Sequence, residues 1–251
     1  MKKAALRARP LFLAPILLAL SAALSSCGGL LAQAPTPTWT PDYTPTPTTT
    51  FTPTPTLPHT EWPVVMSESF NVENENWQVG DINNEYVKGT VAVLGGKYYV
   101  KLTAKKPVYW YSFPEMKNLL DVYATLKVDQ LAGSKTAEYG LIVRAGETLQ
   151  YLFSINASQQ WYEFIKFSGD GESMLTYPTH SSGILTGEPN RIGVKAQGAD
   201  FTFYINGEQV DDAFDAENTA GGVGIGIVLY KAGDWIELTF DNFEVRAPEA
   251  A

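Results

Sequence analysis

Alternation between apolar and polar residues is the feature that most restricts how this chain can fold. Apolar side chains occupy every second position in segments 149–155, 201–205 and 236–240. Successive side chains of a strand point to opposite faces, so this period predicts strands with one buried face. No segment after Pro63 shows the long, capped 3.6-residue period of a helix. The folded part is therefore predicted to be all-β.

The turns agree with this prediction. Asn206-Gly207 and Gly95-Gly96 each separate two strand-like segments, and Asp170-Gly171 separates a third pair. Both central residues of a type I′ turn need a positive φ, which Asn and Gly tolerate. Many short strands joined by such hairpins are typical of a β-sandwich or jelly roll.

Two local irregularities are also expected. Phe243 and Val245 have the opposite parity to Phe240, so keeping all three inward requires an extra residue, most simply a β-bulge at Asp241-Asn242. In segment 221–226, alternate glycines within a strand favour the close approach of another layer over a dinucleotide-binding loop.

The first 27 residues predict export and lipidation. Basic residues among the first nine precede an apolar stretch ending near Leu24, which Pro15 interrupts and which is shorter than the roughly 20 residues of a membrane-spanning helix. Residues 1–26 are therefore interpreted as a signal peptide. Leu24-Ser25-Ser26-Cys27 resembles the lipobox of bacterial lipoproteins, in which the Cys thiol receives a diacylglyceryl group. The alternative is an ordinary secretory signal that happens to contain Cys27.

The lipobox resemblance implies a location and a partner. A lipid on Cys27 would anchor the chain to the outer face of a bacterial cell membrane, with more than one acyl chain giving a stable attachment. The domain that follows would then be extracellular or periplasmic. Cys27 is the only cysteine of the chain, so neither a disulfide nor a thiolate metal site is expected in that domain.

Residues 27–63 are interpreted as a linker. Pro and Thr alternate almost as a repeat between 34 and 59. The prolines fix φ and remove amide donors, so an extended polyproline II conformation is favoured over helix or sheet. A segment of this kind spans about 80–90 Å when extended.

Charge separates the linker from the folded domain, placed at 64–247 with a tail at 248–251. After residue 63 the chain carries 14 basic and 25 acidic side chains, a net charge of −11. A phosphate backbone would be repelled by such a surface, so nucleic acid is excluded as a partner.

Several segments of the domain, in their order, resemble concanavalin A-like jelly-roll domains of bacterial surface proteins, of the laminin-G-like and 3-keto-disaccharide-hydrolase type. The segments are Tyr139-Gly140-Leu141-Ile142-Val143-Arg144, Tyr151-Leu152-Phe153-Ser154-Ile155, Asn190-Arg191-Ile192-Gly193-Val194, Phe203-Tyr204-Ile205-Asn206-Gly207 and Phe240-Asp241-Asn242-Phe243-Glu244-Val245. The resemblance covers most of residues 65–246. It implies a sandwich of two curved antiparallel sheets and, in relatives, carbohydrate bound on or beside the concave face. Fold alone does not fix function.

Catalytic patterns are not found. The nearest carboxylate set, Glu237, Asp241 and Glu244, lacks the spacing of the glucanases of this superfamily and is interpreted as solvated charges on an outer face. His180 is the only histidine after residue 63 and is placed in a loop, without a Gly-x-Ser-x-Gly elbow. One histidine and no cysteine nearly exclude zinc.

Binding residues are sought among aromatics, which occur side by side in segments 98–99, 109–111 and 161–162. Neighbours on a strand point to opposite faces, so one of each pair should leave the core, and flat rings suit the apolar faces of sugars. Arg144 ends an apolar strand on the side of Ile142, where its guanidinium would donate a fork of hydrogen bonds. The candidate ligand-binding residues are Arg144, Tyr99, Trp110, Trp161 and Tyr162. Plain core packing is the alternative for about half of such aromatics.

A calcium site is the only cofactor hypothesis that the residues raise. Asp211, Asp212, Asp215 and Glu217 crowd one predicted loop, and calcium takes about six to eight oxygen ligands from such loops. A solvated acidic loop is the alternative.

Three functions follow from these observations. The first is a lipid-anchored, non-catalytic binding module for a glycan or cell-wall polysaccharide. The second is a glycoside-active enzyme of the 3-keto-disaccharide-hydrolase type, which only the resemblance implies. The third is a structural or partner-binding domain without sugar affinity.

Overall fold

A computed structural model of the protein describes residues 59–71, 76–114 and 118–249. Cys27, the signal peptide and the Pro/Thr repeats lie outside the described residues. Within the described ranges the only helix is the short 3-10 segment His59–Glu61, and no helix is long and apolar enough to cross a membrane. The strands are β1 (Val64–Glu68), β2 (Gly80–Asn83), β3 (Val87–Leu94), β4 (Lys97–Ala104), β5 (Val108–Ser112), β6 (Val122–Gly133), β7 (Glu138–Ala145), β8 (Leu149–Asn156), β9 (Trp161–Ser168), β10 (Gly171–His180), β11 (Asn190–Gln197), β12 (Asp200–Ile205), β13 (Glu208–Phe214), β14 (Gly222–Leu229) and β15 (Trp235–Arg246).

The strands form two antiparallel sheets, which confirms the predicted fold class. Sheet A has the order β13-β12-β11-β6-β15-β4-β3-β2, with β1 also paired to β15. Sheet B has the order β10-β9-β8-β7-β14-β5. Neighbours in sequence often pair directly, as β3 with β4 and β12 with β13.

Two of the predicted hairpin turns are confirmed, and the third lies one residue earlier than predicted, since Gly169 and Asp170 separate Ser168 of β9 from Gly171 of β10. Asn206 and Gly207 have φ of 53° and 91° between β12 and β13, and Gly95 and Gly96 have φ of 58° and 73° between β3 and β4. Left-handed values at both central residues are what a type I′ turn requires, and they suit the twist of the strands on either side.

The main core fills the space between the sheets with the inward residues of each alternating strand. Phe153 of sheet B stacks on Phe203 of sheet A, with ring centroids 4.6 Å apart, and Phe164 packs against the same ring. In β15 the register shifts between Asp241 and Glu244, so Phe240 and Phe243 are both fully buried despite their opposite parity. The predicted β-bulge is therefore confirmed.

Sheet B curls strongly about its outer face. Tyr109 of β5 stacks on Phe167 of β9 with centroids 4.1 Å apart and planes 7° apart, although three strands lie between β5 and β9. Strands are about 4.8 Å apart, so a flat sheet would separate these two by about 19 Å. We call this outer surface the concave face. It carries a second apolar cluster, formed by Ile142, Ala145, Leu152 and Val228 with Tyr109, Phe113 and Phe167 packed against it.

Two glycines of β14 make the aromatic layer on the concave face possible. A Cβ on Gly224 would lie 2.3 Å from the ring of Phe113, and one on Gly226 would lie 2.8 Å from Leu152 and 3.0 Å from the ring of Tyr109. Real Cβ atoms do not approach as closely as they would at Gly224, so only glycine fits there, whereas a Cβ at Gly226 would force Leu152 and Tyr109 to shift. The close approach predicted from the alternate glycines is confirmed.

The segment just before β1 is packed on the outer face of sheet A. Trp62 is 2% exposed, and the His59 ring lies 4.3 Å from the ring of Tyr123. The Arg246 guanidinium donates to the Trp62 carbonyl at 3.1 Å. The packed structure thus begins before Val64, the boundary predicted from composition, because one large aromatic side chain holds the segment against the sheet.

Candidate functional site

The five residues predicted to bind a ligand do not meet at one place. Tyr99 lies on the outer face of sheet A, while Trp161 lies on the concave face of sheet B. Trp110 and Tyr162 point into the core and are 7% and 4% exposed. Arg144 lies between the sheets and is 1% exposed. These residues therefore belong to three different environments.

The parity of β5 decides which of its aromatics are accessible. Trp110 packs in the main core, so its neighbours Tyr109 and Tyr111 point outward. Tyr111 is 50% exposed. The alternation of the strand predicted that some of these aromatic residues face away from the core, and Trp110 was chosen as one of them. In the structure Trp110 is buried and Tyr111 lies on the accessible side.

A bulge moves Arg144 from the outer face to the interior. Gly224 pairs with Ile142 and Gly222 with Ala145, so β7 contains one residue more than β14 between these pairs. Arg144 takes up this extra residue with φ of 51°. Its guanidinium carbon consequently lies 4.7 Å from the centroid of the Phe201 ring. The prediction that Arg144 shares the side of Ile142 is wrong for this reason.

The acidic loop is organised by a lysine. The Lys166 ammonium lies 2.7 Å from a carboxylate oxygen of Asp215 and 2.7 Å from one of Glu217. Asp211 and Asp212 are consecutive residues of β13 and therefore point to opposite sides. Among the described residues, no group of three or more acidic, histidine or cysteine side chains is placed to hold a metal ion. The calcium hypothesis gains no support from this arrangement.

The carboxylates of β15 lie on the outer face of sheet A. The Glu237 carboxylate accepts a hydrogen bond from the Tyr99 hydroxyl at 2.8 Å and pairs with Lys101 at 3.0 Å. Glu244 pairs with Arg246 at 2.7 Å. These contacts agree with the interpretation of the set as charges of an outer face. His180 was placed in a loop by composition, but it is the last residue of β10.

A buried pair of carboxyl groups lies on the concave face. Glu138 of β7 and Glu163 of β9 are 2% and 1% exposed, and their side chains are hydrogen-bonded to each other. The Ser154 hydroxyl donates to Glu138 at 3.1 Å, and the Tyr230 hydroxyl donates to Glu163 at 3.2 Å. Burial and the adjacent Glu163 carboxyl raise the pKa of Glu138 to about 8. At neutral pH the Glu138 carboxyl group is therefore mostly protonated.

The geometry of this pair does not suit glycoside hydrolysis. Retaining enzymes need two carboxyl groups about 5–5.5 Å apart, and inverting enzymes about 6.5–9.5 Å, to leave room for the sugar or for water. Two carboxyl groups that hydrogen-bond to each other are closer than either distance. Tyr230 also closes over the pair.

An open groove lies where the edge strand β5 of sheet B approaches β2 and β3 of sheet A. We call it the edge groove, and it has a volume of about 470 Å³. Tyr86 and Tyr111 line it and are 47% and 50% exposed. The other lining residues are Gln78, Ile82, Asn84, Val87, Pro107, Val108, Tyr109 and Trp110.

Backbone hydrogen bonds hold Tyr86 in place. The Asn84 side-chain carbonyl accepts from the Tyr86 and Val87 amides at 2.8 and 2.9 Å. The amides of Lys105 and Lys106 donate to the Tyr86 carbonyl at 2.7 and 3.2 Å. A backbone fixed in this way loses no further conformational entropy when a ligand stacks on the Tyr86 ring, which favours binding.

Several solved structures share the arrangement of the two sheets. A carbohydrate-binding module, CBM66, from Bacillus subtilis aligns with a TM-score of 0.51 and 18% identity over 68% of this chain and 96% of its own. A β-glucanase from Bacillus licheniformis aligns with a TM-score of 0.52 and 11% identity, over 72% and 97%. An endo-1,3-β-glucanase (laminarinase) from Thermotoga petrophila aligns with 0.53 and 10%, over 76% and 99%. The fold is a concanavalin A-like jelly roll.

The similarity is one of fold. At 10–18% identity these structures establish the jelly roll and leave its activity open. The sequence matches no protein-family model and no curated protein.

The sequence patterns did not indicate the buried carboxyl pair or the two tyrosines of the edge groove. Glu138 and Glu163 had a visible signal, since each is a lone carboxylate within an apolar strand, and β7 is buried along its whole length. Tyr86 and Tyr111 had a weaker one, because the groove between them forms only when the edges of two different sheets approach.

Proposed function

We propose that this jelly roll is a non-catalytic carbohydrate-binding module that is held on the outer face of a bacterial membrane by a lipid on Cys27. The observation that carries the proposal is the edge groove, with two half-exposed tyrosine rings beside the amide side chains of Gln78 and Asn84. Aromatic faces stack on the apolar faces of sugar rings, and amides exchange hydrogen bonds with hydroxyl groups. The edge groove has a volume of about 470 Å³, which lies within the range of small-molecule sites.

Two further observations support this proposal over the alternatives. The CBM66 structure, whose name states that it binds carbohydrate, has the same fold. The glucanases of the same fold favour a glycan as ligand but would equally suit a hydrolase. Against hydrolysis, the paired carboxyl groups Glu138 and Glu163 are buried and too close together. A structural domain without ligand would not require two exposed aromatic rings in one groove.

Loss of either groove tyrosine should weaken glycan binding. An aromatic stacking contact is worth about 0.5–1.5 kcal/mol, so Tyr86→Ala and Tyr111→Ala are each expected to lower affinity by up to about tenfold. A glycan array with the purified full chain would identify the ligand, and calorimetry would measure the affinity of each variant for it. Tyr177→Ala is the matched control, because Tyr177 is 73% exposed but lies on β10, outside the groove.

Each contrary outcome has a distinct meaning. Binding that both groove variants leave unchanged would place the ligand elsewhere. An array without any bound glycan would overturn the proposed function, and so would cleavage of a bound glycan by the unmodified protein.

Membrane attachment is tested separately. Cys27→Ala removes the thiol that would receive the lipid, so the chain is expected to leave the membrane fraction or to accumulate as uncleaved precursor. Mass spectrometry should show a diacylglyceryl adduct on the chain that keeps Cys27 and none on the Cys27→Ala variant. Unchanged membrane fractionation and unchanged mass in the variant would contradict lipidation.

A further inference from the structure

The edge groove has no charge inside and a positive charge at its rim. None of the ten residues that line it carries a charged side chain. Lys105 and Lys106 directly precede Pro107 of the lining, and both are exposed. In the described part of the chain, the Glu85 carboxylate is the one acidic group in ion-pair contact with these lysines. We call Glu85, Lys105 and Lys106 the rim, which carries two positive charges against one negative charge.

Lys106 lies beside the tyrosine ring on which a sugar would stack. Its ammonium is 5.2 Å from the centroid of the Tyr86 ring and 3.2 Å from a carboxylate oxygen of Glu85. The side chain of Lys106 is 55% exposed, and its four-carbon stem is flexible. The ammonium is therefore free to follow a ligand that stacks on Tyr86.

Lys105 fixes the turn that precedes Tyr86 and adds a second positive charge. Its ammonium donates to the side-chain carbonyl of Asn83 and to the backbone carbonyl of Asn84, both at 2.6 Å. Both acceptors belong to neutral amides, so they do not compensate the charge of the lysine. Because Asn84 lines the groove, this charge lies at the same rim.

The ion pair between Lys106 and Glu85 is weak enough to be exchanged. The Glu85 side chain is 64% exposed, so water competes for both charges. Exposed ion pairs of this kind change an equilibrium by less than about fivefold. A carboxylate on a ligand that already stacks on Tyr86 has a high local concentration at the ammonium, and it would therefore replace Glu85 readily.

The rim lies in a domain that is otherwise acidic. Residues after Pro63 carry 14 basic and 25 acidic side chains. At physiological ionic strength a charge acts over about 8 Å, so a ligand in the groove responds to the rim more than to carboxylates farther away. An acidic polymer is therefore repelled by most of the surface and attracted where the two lysines lie.

We propose that the edge groove binds an acidic glycan, with the Lys106 ammonium paired to the carboxylate of a uronic acid residue that stacks on Tyr86. In the complex the carboxylate of the ligand takes the place of Glu85, and Lys105 adds a second positive charge at the rim. This ligand class rests on the proposed function, because it names which glycan the same groove binds.

Calorimetry with the purified full chain tests the ligand class. The probes are polygalacturonate, alginate and hyaluronate, each compared with its own methyl ester, which keeps the sugar rings and removes the charge. At least one acidic polymer should bind several-fold more tightly than its ester. At about 1 M ionic strength, where screening confines a charge to about 3 Å, most of this difference should disappear.

Variants of the rim assign the effect to Lys106. Lys106→Met keeps an apolar stem and removes the ammonium, so the affinity for the acidic polymer should fall by up to about fivefold while that for the ester stays the same. Glu85→Gln removes the competing carboxylate and should tighten the binding of the acid. Lys101→Met is the matched control, since Lys101 is a half-exposed lysine paired with Glu237 at 3.0 Å on the outer face of sheet A, and it should change neither affinity.

The contrary outcomes separate the ligand class from the proposed function. Binding of a neutral glucan such as laminarin, with no acidic polymer bound more tightly than its ester, would overturn the acidic ligand and leave the carbohydrate-binding module standing. Equal losses for acid and ester in Lys106→Met would show that Lys106 supports the Tyr86 ring without recognising the charge, which also overturns the proposal. A chain that binds no glycan would overturn both.

Discussion

Glu138→Gln is expected to stabilise the protein at pH 8 and to flatten the dependence of its stability on pH. The pKa of Glu138 is about 8 in the folded protein because burial and the Glu163 carboxyl disfavour its charged form, against 4.5 as the ordinary value. The folded state therefore binds more protons than the unfolded state between these two values. Stability then falls as the pH rises from about 4.5 to about 8 and stays level above it.

The size of this effect follows from the size of the shift. Each pKa unit corresponds to about 1.4 kcal/mol, so the pair removes on the order of a few kcal/mol of stability across that window. A glutamine at 138 carries no titratable group, so the variant should not show this loss of stability. Urea denaturation between pH 5 and pH 9 measures the free energy of unfolding. The values for the unsubstituted protein and for Glu138→Gln should diverge as the pH rises.

The matched control is Glu172→Gln, which removes an exposed carboxylate of the same sheet on β10. Its stability profile should run parallel to that of the unmodified protein. Parallel profiles for Glu138→Gln as well would contradict a raised pKa of Glu138 in the folded protein.

Removal of the Trp62 side chain should cost about 3–5 kcal/mol of unfolding free energy, as for other buried tryptophans. Trp62 is 2% exposed against sheet A, with the Lys195 ammonium 6.0 Å from its ring centroid. A chain that starts at Val64 should lose at least as much, because it also loses the bonds from Arg246 to the carbonyls of Thr60 and Trp62. A chain that starts at His59 should keep the stability of the whole domain.

Denaturant midpoints of these chains provide the measurement. Trp235→Ala is the control, since Trp235 lies on β15 with 38% of its surface exposed and should cost far less. Equal midpoints for chains starting at His59 and Val64 would show that the packed segment contributes nothing to stability.

The fold could be predicted from sequence because its determinants are local. The Asn206-Gly207 turn needs only its own two residues, and alternation within β12 fixes which side chains face inward. The bulge at Asp241-Asn242 was also visible, because Phe240 and Phe243 on either side of it are both apolar and both have to be buried. Hydrophobic patterning within one strand thus carries its own register.

The candidate sites could not be predicted in the same way, because each joins distant parts of the chain. Arg144 points inward only because β7 gains a residue relative to β14, and no pattern within β7 shows this. The sequence of β5 did not show whether Trp110 or Tyr111 faces the core. Packing against the other sheet buries Trp110 and leaves Tyr111 exposed.

The all-β fold, the hairpin positions and the buried face of each strand follow from local sequence, since these depend on backbone preferences and on a period of two. The pairing of Glu138 with Glu163, the burial of Arg144 and the lining of the edge groove by tyrosines become visible in the three-dimensional structure. Burial and pairing between strands far apart in sequence set those properties. The free energy of a charge or a ring depends on the neighbours that the fold brings to it.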